Sequence, residues 1–121
     1  MKGQILHKFH DCFIQFIDEL LEQFPQELSL HIARGLIKDE CTSELLMRKY
    51  IEFVLPQKHL VDIKSDSFFT DDNIGFSQLA DKRVLTLKNL WLSEKLDADD
   101  RKTIWRWFEV FNTLAERYKK L

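Results

Sequence analysis

Between residues 98 and 119, Ile104, Phe108, Phe111, Ala115 and Tyr118 recur at steps of four, three, four and three. That spacing is the period of one helix face. Trp105, Trp107, Val110 and Leu114 widen the apolar arc beyond a narrow stripe. A helix with so broad an arc is either central in a bundle or offers part of its surface to a partner. Asp97 suits the N-cap, with Asp100 at the N3 position, and Asp97, Asp99 and Asp100 complement the positive helix start. Leu96, just before the cap, is placed to staple onto the Arg101 stem or Ile104.

The same reading extends along the chain. Ile5, Leu6, Phe9, Cys12, Phe13, Phe16, Ile17, Leu20, Leu21 and Phe24 keep helical steps through five turns, predicting a helix over 4–24 that Pro25 ends. Asp11, Asp18, Glu19 and Glu22 fall on its other side. Pro25 is suited to open a second helix over 26–38, carrying Leu28, Ile32, Ala33, Leu36 and Ile37, before a polar break at Lys38 and Asp39. Thr42 or Ser43 caps a third helix that reaches Leu55, with Leu46, Tyr50, Phe53 and Val54 inward. Residues 57–76 are the least regular; a short helical turn fits 58–63, and a loop near 64–76 is pinned by Phe68 and Phe69. Ser77 caps a fourth helix through Leu92. The expected fold is therefore all-α: a single domain, a compact bundle of about five helices with one longer loop.

Composition supports that class. Three glycines and two prolines in 121 residues exclude collagen-like and linker-like chains and disfavour a turn-rich sandwich. Ten Phe and three Trp exclude disorder. The length supports a core without a staple. Residues 1–60 hold 7 Lys and Arg against 9 Asp and Glu, and the remainder 11 against 11. Neither half has the basic surplus of a nucleic-acid binder; Arg117, Lys119 and Lys120 read as cations at a helix C-terminus. No targeting run and no stretch of membrane-spanning length is visible. Two cysteines, Cys12 and Cys41, point to an intracellular chain with reduced thiols, so a cytoplasmic protein is expected.

Sequence motifs for chemistry are sparse. His7, His10 and Cys12 form H-x-x-H-x-C, but zinc needs a third and fourth ligand and no second close pair exists. The chain lacks G-x-S-x-G, H-E-x-x-H and a glycine-rich phosphate loop. Asp71-Asp72 and Asp97/Asp99/Asp100 are explained by turns and capping. No catalytic residue, metal or cofactor is expected, and the chain reads as a non-enzyme.

The remaining asset is R-K-T-I-W-R-W, residues 101–107. Basic and aromatic residues interleaved in this way serve single-stranded nucleic acid by stacking; equally, arginines lie along the indoles of a core helix. Trp105 and Trp107 point about 200° apart on a helix, so one belongs to a second contact surface. Trp and Arg are enriched in protein–protein hot spots. Trp105, Trp107, Arg106, Phe68 and Phe69 are thus the candidate partner-binding residues, for a protein partner or a second copy. A nucleic-acid factor using Arg101, Lys102, Arg106, Lys119 and Lys120 is the alternative.

FHDCFIQFIDELLEQFP at the start, Phe68-Phe69 before a polar loop, and IWRWFEVFNTLAERYKK at the end together resemble uncharacterised small helical proteins of large nucleocytoplasmic DNA viruses. The resemblance touches both ends and the middle, not residues 26–60. It implies a viral accessory or virion-associated protein of the infected-cell cytoplasm, and no catalytic or ligand residue.

Overall fold

The computed structural model describes residues 2–70 and 86–121. Helix α1 runs Lys2–Gln23, α2 Leu28–Gly35, α3 Ser43–Phe53, α4 Lys58–Asp62, α5 Ser67–Thr70, α6 Thr86–Leu92 and α7 Ala98–Lys119. The fold is all-α, with no strand among the described residues. The second half of the 64–76 loop and the expected Ser77 cap lie outside those residues.

Helix α1 is the centre of the packing, because its apolar positions spread wide enough to meet three neighbours. It lies against α2, α3 and α7, while α4 packs on α7 and α5 on α6. The core is largely aromatic. Phe9, Phe13, Phe16, Tyr50 and Phe111 form one group of rings, with Phe13 stacked on Phe111 at 4.1 Å. Phe68, Phe69, Trp91 and Trp105 form a second. Phe108 joins the two: its ring lies 5.6 Å from Phe16, 5.3 Å from Phe111 and 5.3 Å from both Phe68 and Phe69. Edge-to-face contacts of this kind add to the area term.

Local signals set most boundaries. Thr42 accepts a hydrogen bond from the Leu45 amide and starts α3. The Asp97 carboxylate accepts from the Asp100 amide (2.8 Å), and Asp100 accepts from the Asp97 amide (3.1 Å), closing a reciprocal box at α7. Leu96 is buried with Ile104 in the same core. The second helix differs from expectation. Pro25 lies in a turn rather than opening the helix, and Glu27 takes the N-cap position. Past Gly35 the chain does not break but widens into a π-helical turn, Leu36–Glu40. His10 on α1 secures it. The Ile37 carbonyl can only accept, so Nε2 donates to it at 2.6 Å, and Nδ1 shares a hydrogen bond of 2.8 Å with the Ser43 hydroxyl.

After α4 the chain turns at Lys64, which has φ 53°. The Ser65 amide reaches the Leu60 carbonyl and the Lys64 amide reaches Val61, the paired bonds of a Schellman C-terminus. A left-handed residue with a Cβ is strained there, and the Lys64–Glu109 pair at 3.9 Å is exposed and contributes little. Lys64→Gly is therefore expected to stabilise the chain by about 1 kcal/mol, read as a raised urea midpoint at unchanged slope. A lowered midpoint would show that the turn is not held in this conformation.

Candidate functional site

The structure redistributes the five partner-binding candidates. Phe68, Phe69 and Trp105 are 1%, 2% and 4% exposed, so their surface role is corrected: the short helix α5 turns both phenylalanines inward, and Trp105 completes the ring cluster beneath them. Arg106 is exposed and Trp107 is half-buried. The opposed directions of the two indoles are realised, and Trp107 is the one that reaches the surface.

Trp107 forms one wall of a groove of about 290 Å³ between the C-terminal half of α1 and the N-terminal half of α7. Helix pitch brings the lining together. Phe16, Glu19, Leu20 and Gln23 follow steps of three, one and three on α1; Asp100, Thr103, Ile104 and Trp107 repeat them on α7. Buried Phe16, Leu20 and Ile104 make the apolar base. The Trp107 indole is held in place: its N–H donates to Glu19 at 2.6 Å, and its ring stacks on Phe111 at 5.9 Å. Gln23 donates to Asp100 at 2.7 Å across the upper end.

The electrostatics are one-sided. Glu19, Glu22 and Asp100 line the groove, and among the described residues no Lys or Arg does. The Gln23 amide and the Asp97 backbone hold the Asp100 carboxyl below its usual value, so it stays ionised near neutral pH. An α7 N-terminus is ordinarily receptive to anions, but here two of its amides, those of Asp97 and Asp100, already serve the capping carboxylates. Glu22 has no hydrogen-bond or ion-pair partner among the described residues. Among the described residues the lining holds no thiol or imidazole, and the Thr103 hydroxyl donates to the Asp99 carbonyl at 3.0 Å. Chemically, this arrangement suits a cation beside an apolar surface; among the described residues the lining offers no paired nucleophile and base.

The other sequence candidates lie elsewhere. Both ring nitrogens of His10 are engaged, and His7 is exposed. Among the described residues, no three of His, Cys, Asp and Glu converge as metal ligands. Burial pushes the Cys12 and Cys41 thiols up from their usual values, which favours the less nucleophilic thiol. The R-K-T-I-W-R-W residues do not share one surface. Arg101 lies over Trp91 at 5.0 Å and donates to its carbonyl, and Trp105 is buried. Arg106 and Arg117 are about 16 Å apart along α7 at helical rise. Among the described residues, no helix is long and apolar enough to cross a membrane. No family model, curated protein or solved structure matches the chain.

Proposed function

We propose that the chain is a non-enzymatic protein-binding domain whose contact surface is the α1–α7 groove and the exposed turn of α7 beside it. One observation carries the reading: Trp107 keeps part of its surface accessible yet is fixed by Glu19, Phe16 and Phe111. A rigid aromatic side chain that remains accessible binds with little ordering cost, which is why tryptophan dominates interface hot spots. Val110, one turn further along α7, is 41% exposed and extends the apolar landing area. The resemblance at the two chain ends supports placing this domain among viral accessory or virion-associated components of an infected cell's cytoplasm.

A photo-crosslinking amino acid at position 106, in cells or particles that make the chain, tests the proposal. A defined protein is captured from position 106 and not from position 49 on α3. Its yield falls about tenfold or more when Trp107→Ala or the groove-filling Thr103→Arg is added. Equal capture from both positions, or indifference to both substitutions, overturns it.

A further inference from the structure

The groove's chemistry narrows its occupant. Its base is apolar, one wall is the Trp107 indole, and its charged lining residues are Glu19, Glu22 and Asp100. A phosphate or an acidic peptide is repelled by all three. A wholly apolar segment would cover carboxylates without neutralising them, at a desolvation cost. Asp100 already accepts from Gln23 and the Asp97 amide, and Glu19 from the Trp107 indole, whereas Glu22 has no partner among the described residues. Glu22 is therefore the carboxylate with its acceptors open to a newcomer.

A guanidinium satisfies these features together. It is planar, stacks on an aromatic face, and presents a fork of donors to a carboxylate. Its aliphatic stem lies along apolar surface. A lysine ammonium supplies the charge but neither the plane nor the fork. We propose that the groove seats an arginine side chain carried by an otherwise apolar segment of a partner protein, with the guanidinium against Trp107 and facing Glu19 and Glu22. This rests on the protein-binding reading and specifies the partner's chemistry.

The probe is an acetylated hexapeptide alternating arginine and leucine, compared with versions in which arginine becomes citrulline, lysine or glutamate. Citrulline keeps the plane and removes the charge. The full chain, labelled with ¹⁵N, reports through the resolved indole N–H signals of Trp91, Trp105 and Trp107. The arginine peptide is expected to shift the Trp107 signal saturably and leave buried Trp91 and Trp105 in place. Affinity falls about tenfold or more with citrulline and with Glu22→Lys, by less with lysine and with Glu22→Gln, and declines with added salt. Glu22 is exposed and unpartnered among the described residues, so both variants keep the fold; the unmoved Trp91 and Trp105 signals verify it. Equal binding of arginine and citrulline peptides, or indifference to Glu22→Lys, overturns the arginine seat. A Trp107 signal that no peptide moves at millimolar concentration also overturns it. Crosslinking from position 106 is independent of these titrations, so the broader protein-binding reading stands or falls separately.

Discussion

Phe111→Ala is expected to lower stability by about 3–5 kcal/mol. Phe111 is fully buried, and its ring meets those of Phe9, Phe13, Phe16, Tyr50, Trp107 and Phe108. These neighbours come from α1, α3 and α7, so the space left behind cannot be closed by moving one helix. Each is itself braced by further rings, which limits relaxation and places the cost in the upper part of the usual range. Against a typical total of about 5–15 kcal/mol, the variant loses about a fifth or more of its stability. Phe111→Leu keeps most of the volume and is expected to cost about 1–2 kcal/mol. Val110→Ala, next in sequence but exposed, is expected to change stability by under about 0.5 kcal/mol. Urea titrations at constant slope distinguish the three. A Phe111→Ala loss under about 1.5 kcal/mol would show that α1, α3 and α7 do not meet over this ring.

The legible parts of the fold are those written in neighbouring residues. Helix α7 spans 98–119 because Asp97, Asp100 and the four-three steps are all local, and the structure reproduces them. The π-helical turn at Leu36–Glu40 is different. Over five residues its period cannot be told from that of an α-helix, and the bond that secures it comes from His10, 27 residues away. Phe68 and Phe69 were legible as anchors of an irregular segment but not as wholly internal. Trp91, Trp105 and Phe108, which cover them, arrive later in the chain. The opposed directions of Trp105 and Trp107 followed from pitch; which one faces out depends on Glu19, 88 residues from its indole partner. The groove was illegible for the same reason: each wall reads alone as the solvated flank of an amphipathic helix. Asn112 was missed although a signal existed. It sits four residues after Phe108, on the inward face, where a polar side chain needs a buried partner.

That partner is Tyr50, and the pair should behave as a unit. The Tyr50 hydroxyl donates to Asn112 Oδ1 at 2.6 Å between α3 and α7, with both residues buried and Asn112 Nδ2 without an acceptor among the described residues. Tyr50→Phe strands the amide oxygen, and Asn112→Leu strands the hydroxyl; each is expected to cost about 1–3 kcal/mol. The double variant removes every stranded polar atom of this pair, including Nδ2, and is expected to return to wild-type stability or exceed it. Additive losses in the double variant would show that the hydrogen bond does not couple the two helices. Titration gives an independent check. Burial pushes the Tyr50 phenol well above its ordinary value of 10. Below pH 10 both folded and unfolded chains keep this proton, and its stabilising contribution is complete. Above pH 10 the unfolded chain releases it while the folded chain retains it, so stability falls by about 1.4 kcal/mol per pH unit on this account. Tyr50→Phe lacks that loss. The gap between wild type and Tyr50→Phe, measured by urea unfolding at pH 8 and pH 11, should therefore shrink at the higher pH; a constant gap would mean that the phenol is not sealed inside the fold.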